Sequence, residues 1–63
     1  MTTLVIVILL ASGETVEHAQ RFISLTDCDQ NKHEVTEQLV GRLIQVGEEV
    51  IFRMPYCDEG VAL

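Results

Sequence analysis

Basic residues are scarce in this sequence, where four lysines and arginines stand against ten aspartates and glutamates. The 63-residue chain therefore carries a formal net charge of −6 at pH 7. Proteins that grip the phosphate backbone of nucleic acids usually show the opposite balance, so direct nucleic-acid binding is not expected. With 48% hydrophobic residues the chain is too apolar for intrinsic disorder, and its length predicts one small domain over residues 1–63.

Cysteine is scarce too, since Cys28 and Cys57 are too few for the multiple bridges of a small secreted domain. One bridge between them stays open as an alternative, but a pair of reduced thiols is the simpler interpretation.

No cation precedes the apolar segment 4–11, because the first is Arg21, so the basic start of a secretory signal is missing. The segment is also far shorter than the roughly 20 residues that span a membrane. A cytoplasmic location without membrane contact is expected.

Motifs that carry chemistry are missing. Asp27, Asp29 and Asn31 match the first, third and fifth positions of a calcium loop, but Lys32 stands where that loop requires glycine. The cysteines and histidines lack the close paired spacing of a structural zinc site. No nucleophile elbow or glycine-rich loop accompanies the serines. The sequence therefore predicts no enzyme, no cofactor and no metal site.

The first element is predicted to be a strand over residues 3–11, where valine, isoleucine and leucine dominate. Four consecutive β-branched residues from Val5 to Ile8 favour a pleated sheet over a helix. Ser12 and Gly13 follow as a turn signal. Residues 14–25 fit a second strand or a short amphipathic helix, and the short connection favours the strand of a hairpin.

A helix over about residues 32–46 is the clearest element. Asn31 and Glu34 have the spacing of a capping box, and Gly47 is typical of the residue after a helix. Gly41 inside the helix indicates that another group approaches the helix closely there. Apolar residues recur at helical spacing between the two ends, at Val35, Leu39, Val40, Leu43 and Ile44.

The last element is predicted to be a strand over residues 48–54, where apolar residues recur at alternate positions. Pro55 is expected to end it and to leave residues 56–63 as a loosely held C-terminal tail. The order of elements then predicts an α+β fold, β-β-α-β, with a small antiparallel sheet and one helix on one face. The alternative order is β-α-α-β, if residues 14–25 are helical.

One helix covers one face of a sheet, yet the first strand is apolar at both alternating sets of positions. One set must face water in a monomer, and such an aliphatic patch usually marks an interface. We therefore expect a homodimer or a constitutive complex on the open face, or a sheet extended at the edge of the first or third strand. The set assigned to self-association is Leu4, Ile6, Ile8 and Leu10, and the alternative set is Val5, Val7 and Leu9.

Small size, acidity and missing catalytic motifs together predict a non-enzymatic interaction protein. In size and charge the chain resembles the acidic inhibitors that phages direct against host machinery, such as anti-CRISPR proteins and host-polymerase inhibitors. This resemblance implies a basic, nucleic-acid-handling protein partner in the host cytoplasm. The alternative is a structural subunit or assembly factor that completes a larger complex through its hydrophobic first strand.

Residues for partner binding are predicted near the third strand. Large side chains close to a chain terminus are suited to anchor a partner, and the acidic residues around them would supply an anionic rim. The anchor candidates are Phe52, Met54 and Tyr56, and the rim candidates are Glu48, Glu49, Asp58 and Glu59.

Overall fold

The computed structural model describes residues 1–59 and contains three strands and one helix. They follow in the order β1 (Thr2–Leu10), β2 (Thr15–Phe22), α1 (Leu25–Gln45) and β3 (Val50–Glu59). The sheet is antiparallel with the strand order β2-β1-β3. The predicted α+β fold and the order β-β-α-β are confirmed, and the ambiguous second segment is a strand. Among the described residues β1 is the central strand, with β2 on one side and β3 on the other. The expectation that another chain extends the sheet at the edge of the first strand is therefore wrong.

The core lies between α1 and one face of the sheet. Alternate side chains of β1 are buried there: Leu4, Ile6 and Ile8 completely, and Leu10 with 4% exposed. The predicted self-association set is therefore wrong, because all four side chains are already covered within the monomer. Both sets on β1 are apolar, so only the position of the helix decides which one becomes core.

The start of α1 differs from the prediction. Ser24 caps the helix, and its Oγ accepts a hydrogen bond from the Asp27 backbone N–H at 3.2 Å. Asn31, the predicted cap, lies inside the helix and donates its side-chain amide to the Asp27 carbonyl oxygen at 2.8 Å. Both residues are suitable caps, and the longer helix has the advantage that it buries Cys28 completely.

The end of α1 agrees with the sequence. Gly47 has a φ of +93°, which favours glycine, and its N–H donates to the Ile44 carbonyl at 3.0 Å. The close approach expected at Gly41 is not made by residues 1–59, since a Cβ built there meets no heavy atom of theirs within 4 Å. Ile44 is 59% exposed rather than part of the core.

Strand β3 is longer than predicted. It passes through Pro55, which an edge strand tolerates because its missing N–H faces no neighbouring strand there. Residues 56–59 of the expected tail are paired with β1, and residues 60–63 lie outside the described residues. Near the start of β3 the register shifts, since Leu9 lies opposite Phe52 and Leu10 opposite Val50. Ile51 is therefore the extra residue of a β-bulge.

Cys28 and Cys57 form a disulfide bond, with their Cα atoms 6.3 Å apart. The interpretation as reduced thiols is therefore wrong. The alternative that the sequence left open, one bridge between the two cysteines, is what the structure has, across 29 residues of chain. Because Cys57 lies opposite the core residue Leu4, its side chain faces the helix, where Cys28 is buried.

Candidate functional site

The second face of the sheet, opposite the helix, carries a continuous set of apolar side chains on β1 and β3. The register places three cross-strand pairs on this face, because residues directly opposite each other point the same way. We call these six residues the open face: Val5 with Tyr56, Val7 with Met54, and Leu9 with Phe52.

The three members on β3 are large and exposed. Phe52 is 55%, Met54 46% and Tyr56 42% accessible, whereas the members on β1 are half-buried between their neighbours. Among residues 1–59 the single helix lies on the other face, and nothing packs over this one. Contiguous exposed apolar patches of this kind are typical of binding surfaces.

The same side of the sheet becomes polar on β2. Glu17 lies opposite Val7, and Arg21 lies opposite Thr3, with the small Ala19 between them opposite Val5. Each of these three β2 residues is exposed. The open face is therefore bordered by a charged strand on one side and by the outer edge of β3 on the other.

The predicted anchor and rim residues are only partly brought together. Phe52, Met54 and Tyr56 share one face with Val5, Val7 and Leu9, which the sequence named only as the alternative set. The rim does not form on one edge: Glu48 and Glu49 precede β3, whereas Asp58 and Glu59 lie at its far end. An extended strand rises about 3.3 Å per residue, so the two acidic pairs are roughly 30 Å apart.

The two acidic pairs also differ in where they point. Asp58 lies opposite Thr3 and shares its side of the sheet, which is that of the open face. Glu59 lies opposite Thr2, which is buried on the helix side. The Glu49 carbonyl accepts a hydrogen bond from the Ala11 N–H at 2.8 Å, which fixes the chain as it enters β3.

A groove of about 690 Å³ lies between the end of α1 and the start of β3. Its polar residues are Glu48, Glu49 and Arg53, and its apolar residues are Val40, Ile44, Val50, Ile51 and Phe52. The Arg53 Nη1 atom is 3.1 Å from Glu37 Oε2 of the helix. The lining of the described groove includes no histidine, serine or cysteine, so its chemistry suits apolar contact and charge pairing.

Within residues 1–59, no three histidine, cysteine, aspartate or glutamate side chains lie close enough together to hold a metal ion. The sulfur atoms of both cysteines are joined in the disulfide, so neither cysteine offers a thiolate. In the same range, no buried side-chain polar atom lacks a hydrogen-bond partner, and no helix is long and apolar enough to cross a membrane.

Comparisons of this chain with protein families, with curated proteins and with solved structures find no match. Arguments about function therefore depend on the geometry and charge of the described surface.

Proposed function

We propose that this protein is a small, non-enzymatic interaction protein that binds a basic protein partner through the open face. The observation that supports this is the uncovered row of Phe52, Met54 and Tyr56 beside the half-buried Val5, Val7 and Leu9. Aromatic residues and methionine are enriched at protein interfaces. Such side chains supply most of the binding energy when a partner buries them.

Charge supports the basic character of the partner. The chain has a net charge of −6, and two of its four cations are already paired, Lys32 with Asp29 and Arg53 with Glu37. The carboxylates that border the open face and the start of β3 would meet lysine or arginine around an apolar pocket. Complementary charges of this kind raise the association rate and fix orientation.

The disulfide affects where such a partner would be found. Bridges persist in secreted, periplasmic and surface proteins and are mostly reduced in the cytosol. The cytoplasmic expectation depended partly on reduced thiols, so the bridge removes one of its supports and leaves the missing basic start of a secretory signal as the other. Size and charge favour a cytoplasmic, nucleic-acid-handling partner, as for a phage-type inhibitor. The disulfide favours a partner outside the cytoplasm.

A second candidate function is that of a permanent subunit in a larger complex. It is favoured by the exposure of the central strand, because Val5, Val7 and Leu9 of β1 are only half-buried in the monomer. An obligate neighbour would cover them as a second layer on the sheet. This candidate predicts that the isolated chain aggregates, whereas a transient binder stays dispersed.

The test is an affinity capture of binding proteins, with either the immobilised wild type or an immobilised double variant, Phe52→Ser with Met54→Ser, as the bait. The matched control is Ile23→Ser with Val46→Ser, because both residues are exposed and apolar but lie outside the open face and the groove. Circular dichroism should show that all three proteins fold alike.

The proposal is supported if a basic protein, captured by the wild type and the control, is lost with the open-face variant. Equal capture by the two double variants would contradict it, and so would a captured partner that is acidic.

A further inference from the structure

The outer edge of β2 is a regular strand edge. Within Thr15–Phe22 there is no proline, and the register with β1 runs without a shift from Leu9 opposite Thr15 to Thr2 opposite Phe22. The edge of β3, by contrast, carries the bulge at Ile51 and the proline at position 55. Bulges and prolines are devices that keep an edge from pairing, so β2 is the edge suited to accept another strand.

The side chains of β2 are complementary to a second copy of β2. If two copies pair antiparallel with Ala19 opposite Ala19, then Glu17 of each copy lies opposite Arg21 of the other. In residues 1–59 neither Glu17 nor Arg21 takes part in an ion pair, since the two pairs there are Lys32–Asp29 and Arg53–Glu37. Opposite charges directly across two antiparallel strands stabilise the pairing.

The helix-facing side of β2 fits the same register. Val16 would lie opposite Phe22, and His18 opposite Gln20, so apolar meets apolar and a hydrogen-bonding ring meets an amide. Between β2 and α1 the structure has a groove of about 130 Å³, and its helix side is formed by Val35, Gln38, Leu39 and Arg42. The helix therefore leaves room beside β2 where a further strand would be partly covered.

Neighbouring registers lack this complementarity. Centring the pair on His18 places Glu17 opposite Ala19 and brings the two imidazoles together. Centring it on Gln20 places Arg21 opposite Ala19. Either shift turns both directly opposed charge pairs into longer diagonal pairs, so the charges favour the register centred on Ala19.

We infer that two copies of this chain pair through β2 in the register centred on Ala19, forming a continuous six-stranded sheet. The two-fold axis is perpendicular to the sheet, so both helices lie on one side and both open faces on the other. This goes beyond the proposed partner binding, because it moves self-association from the face to the β2 edge. The two open faces stay free and side by side for a partner.

Light scattering coupled to gel filtration tests the dimer, which has twice the 7.1 kDa mass of the chain. Arg21→Glu places two like-charged pairs across the interface, and Glu17→Arg does the same with the opposite sign. Each variant is expected to raise the dimer dissociation constant by at least about tenfold.

Mixing the two variants is the decisive measurement. In a mixed dimer, the R21E chain carries glutamate at both positions 17 and 21, and the E17R chain carries arginine at both. Both cross-strand pairs then join opposite charges again, so the mixture recovers the wild-type affinity although each variant alone has lost it. The register centred on Ala19 predicts this rescue because it places residues 17 and 21 directly opposite each other. The double variant E17R/R21E is expected to dimerise like the wild type for the same reason.

Lys32→Glu and Glu34→Arg are the controls, because they make the same kinds of charge change on the helix and should remain dimeric. Circular dichroism of every variant separates loss of pairing from loss of fold. A monomeric wild type at high micromolar concentration, or a dimer that tolerates both reversals, would overturn the inference, as would mixing without rescue. None of these results affects the open-face proposal, which the Phe52 and Met54 variant tests separately.

Discussion

Cys57, near the end of the edge strand β3, is disulfide-bonded to Cys28 in the early part of α1, 29 residues away in sequence. The bond connects the strand that carries Phe52, Met54 and Tyr56 to the element that covers the opposite side of the sheet. Few hydrophobic side chains are buried in this small domain, and such domains often need a covalent link in addition to their core.

The first prediction is that removing the bridge destabilises the fold. The double variant Cys28→Ala with Cys57→Ala should lower the free energy of unfolding by about 2–4 kcal/mol, because the unfolded chain is no longer constrained. Urea denaturation with and without a reductant measures this. The reductant should destabilise the wild type and leave the variant unchanged. Identical urea curves for the wild type with and without the reductant would contradict the prediction.

The second prediction compares two glycines. Gly41→Ala should raise the free energy of unfolding by up to about 1 kcal/mol, because alanine is the better helix former and the new methyl group meets open space. Gly47→Ala should lower it by about 1 kcal/mol or more, because the φ of +93° is unfavourable for alanine. Thermal unfolding of both variants checks the opposite signs, and a destabilised Gly41 variant would indicate a contact that the structure lacks.

The third prediction concerns which side of β1 is core. Ile6→Ala should cost about 2–5 kcal/mol of unfolding free energy, since it leaves a cavity in a fully buried site. Val7→Ala, on the next residue but on the open face, should cost clearly less. If chemical denaturation ranks the two variants in the reverse order, the helix covers the other face.

The fourth prediction is that partner binding depends on salt. Carboxylates outside the contact act over a Debye length of about 8 Å at physiological ionic strength, so added salt should slow association. Glu48→Lys and Glu49→Lys should each slow association with the partner further without unfolding the domain. Glu34→Lys on the helix is the control and should leave the association rate nearly unchanged. Surface plasmon resonance over a salt series measures this, and a salt-independent association rate would favour purely hydrophobic assembly.

Local sequence patterns predicted the elements well where one signal dominated. The β-branched run in β1, the turn at Gly13 and the helix end at Gly47 are all found where the sequence placed them. The start of α1 was predicted too late, because Ser24 and Asn31 are both good caps and burial of Cys28 favours the earlier one. Pro55 was expected to end β3, a rule that fails on an edge strand, where the missing N–H is not needed.

The candidate site was predictable only in part. Alternation alone places Phe52, Met54 and Tyr56 on one side of a strand, because successive side chains point to opposite faces. It does not reveal that Val5, Val7 and Leu9 lie beside them, since that depends on strand order and register.

The sequence by itself determined three of the four elements, β1, α1 and β3, and the apolar character of both sides of β1, whereas it left residues 14–25 open between a strand and a helix. Local propensity and periodicity act over a few residues, and they are visible in the chain. Only the tertiary structure decided that Leu4, Ile6 and Ile8 are core, that β1 is central and β2 has the regular edge, and that Cys28 meets Cys57. These outcomes depend on which face the helix covers, and two equally apolar faces carry no local signal that distinguishes them.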